Sequence, residues 1–226
     1  MEIGVEDLRP GKIYHVYNRS NGKEILFKND SDYNFFLINI KKYLSPFVNL
    51  YAYCLMNNHF HLLLEIKDLQ SIKDYMLYYY SKKFHLNEIS EIRVLERTYN
   101  FPEIRSFISK QFSNMFDSYT KVFNLKYERH GNLFERPFHR KLVQSNDYLK
   151  YLFFYIHVNP IRDSKTMKYE DSEWNSYKDY LNGNLELVDF ERVLNLFGHQ
   201  QEYESYHNNM LKFVRSKFDW VELKRR

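Results

Sequence analysis

Cys54 is the only cysteine among 226 residues, which excludes an internal disulfide and any zinc site built from several thiolates. Glycine is scarce as well, with six, few for an architecture of many short strands with turn glycines at set places. No stretch approaches the roughly 18 uninterrupted apolar residues of a membrane span. The opening MEIGVEDLRPGK lacks the basic-then-apolar pattern of a signal peptide. The expectation is a cytoplasmic protein with no membrane partner.

Hydrophobic residues make up 44% and charged residues 27%, ordinary values for a globular chain, and the length suits one main domain. Aromatic residues are in excess at 19%, with 21 tyrosines and 19 phenylalanines. So many rings can fill a core, and beside arginine they can also stack unpaired bases; composition does not separate the two uses. The net charge of +4 is unevenly spread. From Lys121 to Lys150 seven basic residues (Lys121, Lys126, Arg129, Arg136, Arg140, Lys141, Lys150) stand against Glu128, Glu135 and Asp147. That surplus suits a polyanion such as nucleic acid, and equally a solvated surface.

KIYHVYNRS, residues 12–20, reads as a strand. Asp30 to Leu44 reads as a helix, with Tyr33, Phe36, Leu37, Ile40 and Leu44 on one face, acidic residues opening it, Lys41 and Lys42 closing it, and Pro46 beyond. Phe47 to Met56 and His59 to Ile66 read as two strands joined by a tight turn at Asn57-Asn58. Asp68 can cap a helix that turns Leu69, Ile72, Met76 and Tyr79 or Tyr80 inward. Residues 82–102 look like a connecting insertion, and Glu103 to Leu125 fits a long amphipathic helix with Ile104, Ile108, Phe112, Met115, Tyr119 and Val122 inside. RKLV (140–143) suggests a short fourth strand, and Ser145, Asn146 or Asp147 can cap a helix from about Tyr148 to Val158 that Pro160 interrupts. The pattern is βαββαβα, hence α+β: a ferredoxin-like or RRM-like antiparallel sheet with helices packed on it. Signals weaken after residue 161 apart from a helical run at 188–197. The expected division is a main domain over 1–185 and a C-terminal helical extension over 186–226.

Two stretches carry candidate chemistry. In MNNHFHLLLEI (56–66), strand alternation turns His59, His61, Leu63 and Glu65 one way and Phe60, Leu62 and Leu64 the other. Imidazoles two residues apart on a strand lie about 7 Å apart and can share a divalent ion, with a third ligand from elsewhere. Two ordinary strand histidines fit the same letters. HFHLLLE also matches the start of a cupin pattern with Glu65 as third ligand, whereas a metallo-β-lactamase pattern fails because Leu63 and Leu64 stand where Asp and His belong. In YLKYLFFYIHVNP (148–160), Tyr148, Tyr151, Tyr155 and Asn159 share a helix face. This is either a nucleophile beside an amide ligand or an aromatic core stripe ending in a helix-terminal asparagine. Pro160 biases Asn159 away from helical geometry.

In this order, YHVYNRS, YCLMNNHFHLLLE, SYTKVFNLKYERHGNLFERPFHRKLV and YLKYLFFYIHVNPIRDS resemble the HUH single-tyrosine transposases, in particular the REP-associated tyrosine transposase branch of the insertion-sequence superfamily. The resemblance spans about residues 12–180, and EWNSYKDYL is similar to that family's trailing segment. It implies that His59 and His61 are the metal pair, Asn159 the third ligand and Tyr155, rather than Tyr151, the nucleophile. The implied cofactor is Mg²⁺ or Mn²⁺, acting as a Lewis acid on a scissile phosphodiester. The implied product is a 5′-phosphotyrosine and a free 3′-OH, reversible without ATP. Single-stranded, hairpin-associated DNA is the implied partner; Arg19, Arg129, Arg136, Arg140 and Lys141 can hold its phosphates, and Tyr127, Phe134 and Phe138 can stack its bases, with core packing the alternative use of the three rings and at least an equal one for Phe134 and Phe138. DNA binding would place the protein at the nucleoid, as a monomer or a homodimer. The alternative is a catalytically silent hairpin-binding protein of the same fold.

Overall fold

The computed structural model describes residues 6–85, 101–161, 168–184 and 186–217. The elements run β1 (Ile13–Arg19), α1 (Asp30–Tyr43), β2 (Val48–Met56), β3 (His59–Ile66), α2 (Leu69–Phe84), α3 (Phe101–Lys126), β4 (His139–Leu142) and α4 (Asn146–Val158). Three more helices follow, α5 (Tyr177–Asn182), α6 (Phe190–Phe197) and α7 (Gln200–Lys217), with short 3-10 turns at Asn21–Lys23 and Tyr169–Asp171. The strands form one antiparallel sheet in the order β2-β3-β1-β4. This is the expected α+β, ferredoxin-like arrangement.

Local chemistry places these elements. Asp30 and Asp32 open α1 and Lys41 and Lys42 close it, matching the charge bias of a helix dipole. Asp68 caps α2 by accepting from the amides of Gln70 and Ser71, and Ser145 is the residue that caps α4, accepting from Tyr148 N. In α3 the buried row is Ile104, Ile108, Phe112, Met115, Tyr119 and then Phe123, while Val122 is exposed. Phe123 takes the inward place expected of Val122, its ring packed near Tyr119 and against Tyr127 at 6.1 and 4.6 Å between centroids. Leu69, expected inside α2, is exposed as well, since it occupies the first helical position, ahead of the packed turns. Most of the expected insertion, residues 86–100, lies outside the described residues.

Both faces of the sheet are covered, by different chemistry. Phe60, Leu62 and Leu64 look toward α1 and α3, where Phe60 meets Phe36 at 4.9 Å and Phe116 at 5.8 Å between ring centroids. Each ring fully buried there contributes on the order of 1.5–3 kcal/mol. The other face receives α4 and the C-terminal helices: Phe153 packs near Tyr51 and against Phe197, the latter with centroids 5.5 Å apart. The outer edge of β2 is covered too, because Leu55 N donates to Trp174 O at 2.8 Å and Ser176 N to Tyr53 O at 3.0 Å. A covered edge has no unpaired strand groups to offer another chain.

Behind α4 lies a sealed polar knot. His207 Nδ1 donates to Tyr203 O at 2.8 Å, which leaves His207 Nε2 to accept from His157 Nδ1 at 3.1 Å. His157 Nε2 in turn lies 2.8 Å from Ser176 Oγ. The knot ties α7 to α4 and to the segment that covers β2. Among the described residues no helix is long and apolar enough to cross a membrane.

Candidate active site

Sheet register builds the site. His59 pairs across β3 and β1 with Arg19, His61 with Tyr17, and Leu63 with His15; across β1 and β4, Tyr17 pairs with His139 and His15 with Lys141. Directly opposed residues share a face, so four histidines, two cations and Tyr17 stand on the face turned toward α4. Sequence reasoning missed His15, Tyr17 and His139. The signal was present, because the alternation that placed His59 and His61 places His15, Tyr17 and Arg19 together in YHVYNR.

At one end of this face a pocket of roughly 510 Å³ is bounded by Tyr17, Arg19, Asn58, His59, His61, His139, Tyr155 and Asn159. The rings of His59 and His61 stand nearly perpendicular with centroids 5.3 Å apart. Tyr155 meets His61 edge-on at 5.7 Å and His15 at 6.0 Å. Tyr151 lies on the outer flank of α4, 42% exposed, stacked on Tyr155 at 6.1 Å. Asn159 keeps helical angles (φ −50°, ψ −49°) despite Pro160, contrary to the bias expected from sequence. It therefore stays one turn from Tyr155, and its Nδ2 donates to Tyr155 O at 2.8 Å.

Among the described residues no three His, Cys, Asp or Glu side chains form a metal-binding group. A divalent ion in this pocket would have to use His59, His61 and the amide oxygen of Asn159. The donor chemistry fits. His59 Nδ1 is 2.7 Å from Asn58 Oδ1 and His61 Nδ1 is 2.9 Å from His15 Nε2, so each ring would ligate through Nε2. Three neutral donors leave positions for substrate oxygens and water. Burial, reinforced by the charge of Lys141, lowers the His15 pKa to about 4.

Glu65 lies outside the pocket, farther along β3. Its carboxylate accepts from Tyr51 OH and, at 2.8 Å, from Arg192 on α6. That anchoring role and the helix-rich architecture remove the cupin alternative.

The expected DNA-binding residues divide. Arg19 sits exposed at the pocket rim with its Nε 2.7 Å from Glu135. Lys141 is exposed, its ammonium 5.4 Å from the Tyr148 ring centroid. Arg136 is exposed on a groove between α3 and the 132–138 segment, 3.2 Å from Asp117. Arg140 lies over the Phe138 ring at 4.9 Å and donates to Glu6 O. Four assignments need correction. Arg129 is consumed by the fold: it pairs with Glu24 at 2.5 Å and donates to Asn124 Oδ1, Gly131 O and Asn132 O, clamping the turn after α3. Tyr127 donates to Asp32 at 2.7 Å under the Lys28 ammonium, which fixes it between α1 and α3. Phe134 and Phe138 are buried, packed near Phe60 and against Phe112 respectively, and are core side chains rather than platforms for bases.

Among solved structures, a REP-associated tyrosine transposase bound to a REP hairpin superposes over 84% of this chain and 90% of its own, with a TM-score of 0.52 and 13% identity. The fold is that of a REP-associated tyrosine transposase. No protein-family model matches the sequence, and no curated protein matches it. The likeness to the transposase thus rests on architecture, and the chemistry on the pocket.

Proposed function

We propose that this chain is a metal-dependent nickase and ligase of single-stranded DNA at hairpin-associated sites, with Tyr155 as nucleophile. The observation that carries the reading is the convergence of His59, His61, Tyr155 and Asn159 on one pocket, from two elements distant in sequence, within a transposase fold. The hairpin seen on the structural relative supports the choice of DNA.

The Tyr155 hydroxyl attacks the phosphorus in line. The P–O3′ bond breaks as the P–O(Tyr) bond forms, the 3′ oxygen takes a proton, and the phenol proton is released. Mg²⁺ or Mn²⁺ on His59, His61 and Asn159 would neutralise charge on the phosphoryl oxygens. The edges of His15 and His61 against the Tyr155 ring restrict its rotation, which keeps the hydroxyl oriented. Arg19 and Lys141, exposed on or beside the same sheet face, can hold flanking phosphates.

The test is covalent trapping. Wild type, Tyr155→Phe, Tyr151→Phe and a His59→Ala/His61→Ala double variant are incubated with Mn²⁺ and labelled single-stranded hairpin DNAs, then run on a denaturing gel. A denaturant-resistant adduct in wild type and Tyr151→Phe alone is the expected result. An adduct that survives in Tyr155→Phe would show the nucleophile to be misassigned. Reversible binding without any adduct would favour the silent hairpin-binding alternative.

A further inference from the structure

Beyond its edge contact with Tyr155, His15 has no part in holding the metal or the phosphate in the reading above, yet it is almost wholly buried, at 7% exposed, behind the pocket. Its strand partner is Leu63, so His61 is its diagonal neighbour on the same face. Its Nε2 lies 2.9 Å from His61 Nδ1, with the rings stacked at 26° and centroids 5.1 Å apart. A hydrogen bond between two neutral imidazoles can be made in two ways. If His15 donates, His61 carries its own proton on Nε2 and cannot ligate there. If His61 donates, its Nε2 keeps the lone pair that a metal needs.

We infer that His15 is a positioning residue for the metal centre: it accepts the Nδ1–H of His61 and so fixes that ring in the tautomer and orientation that ligate through Nε2. The inference rests on the metal-dependent reading of the pocket. The neighbouring ring supports it, because Asn58 Oδ1, which can only accept, holds His59 Nδ1 at 2.7 Å. Both histidines are then oriented alike, each by an acceptor at Nδ1. Metal-bound histidines almost always donate their second N–H to such a partner, and loss of the partner typically costs 10–100-fold in affinity.

Two measurements on the full chain test it. Ring-nitrogen NMR of ¹⁵N-histidine-labelled wild type without metal should find His61 protonated on Nδ1; protonation on Nε2 would overturn the inference. Mn²⁺ titration followed by electron paramagnetic resonance should find affinity reduced about 10–100-fold in His15→Phe, which keeps a ring but loses the acceptor. His15→Gln, whose amide oxygen can accept the same proton, should keep affinity close to wild type; where His15→Phe fails to fold, a loss of about 10-fold or more in His15→Gln would overturn the inference by itself. Wild-type affinity in His15→Phe would sink this inference alone. No Mn²⁺ binding by the wild type would sink the metal-dependent reading with it.

Discussion

His15 meets His61 at 2.9 Å across β1 and β3, and His157 meets His207 at 3.1 Å between α4 and α7. In both pairs burial disfavours the charged ring, bringing His15 and His207 to about 4. Judged by residue type and distance, the pairs are alike. They differ in what borders them. The inner pair is enclosed by Ser176 and Tyr203 and holds α7 against α4. The outer pair backs a pocket that also receives Tyr155, Asn159 and a second sheet histidine, His59. A perturbed imidazole is therefore evidence of burial first; the pocket beside it supplies the case for chemistry.

The comparison breaks most sharply on activity. Replacing His61 by alanine should reduce covalent trapping at least about a hundred-fold, because a metal's charge stabilisation is worth several kcal/mol, while the fold persists by circular dichroism. His207→Leu should do the reverse. Leucine removes the buried hydrogen bonds that His207 makes to His157 Nδ1 and Tyr203 O and leaves the Tyr203 hydroxyl as the remaining acceptor for the His157 Nδ1–H, which together with altered packing costs about 1–3 kcal/mol, measurable as a lower urea midpoint. Trapping per folded molecule should stay within about two-fold of wild type, since uncoupled distant sites behave additively. If His207→Leu abolished trapping in the folded protein, the separation of the two pairs would fail.

Acid sharpens the same contrast. His207 has a folded pKa near 4 against about 6.5 when unfolded, so the unfolded chain binds the extra proton. Its contribution is fully present above pH 6.5, falls as pH drops toward 4, and amounts to about 3 kcal/mol across that window. Urea midpoints at pH 7, 5.5 and 4.5 should decline less steeply in His207→Leu than in wild type. Equal slopes would mean that His207 is not held neutral in the folded state.

Much of the sheet was legible because its signals are local. Alternation and capping residues marked β1 to β3, α1 and α3, and the Asn57-Asn58 turn fixed which histidines share a face. Tyr155 and Asn159 could be placed on one helix side, but spacing alone could not favour Tyr155 over Tyr151, because the choice depends on how α4 is rotated against β3. Likewise the strand pairing that brings His15 behind His61, and His139 beside Tyr17, is set by tertiary register. The helices after residue 161 read weakly for a related reason. Tyr169, Tyr177, Tyr180 and Tyr203 are buried against one another, so their segments gain order from packing with few strongly periodic signals of their own. Burial also decided the aromatic excess at Phe134 and Phe138 in favour of the core.

Charge shows the same division between residues spent inside the fold and residues facing outward, with the smallest expected effects. Lys141 is exposed on the sheet face that carries the pocket, whereas Arg129 is held by Glu24 and three further acceptors. For a bound single strand, each phosphate contact contributes about 0.7 to the slope of log affinity against log salt. Lys141→Gln should lower that slope by about this amount and weaken hairpin binding by a modest factor at moderate salt, with the urea midpoint unchanged. Arg129→Gln should leave the slope intact and lower the midpoint, because Glu24 loses its partner and the turn after α3 loses its clamp. Should Arg129→Gln flatten the salt dependence instead, the guanidinium would have to leave Glu24 on binding, and the basic segment would be a switchable DNA contact rather than a brace.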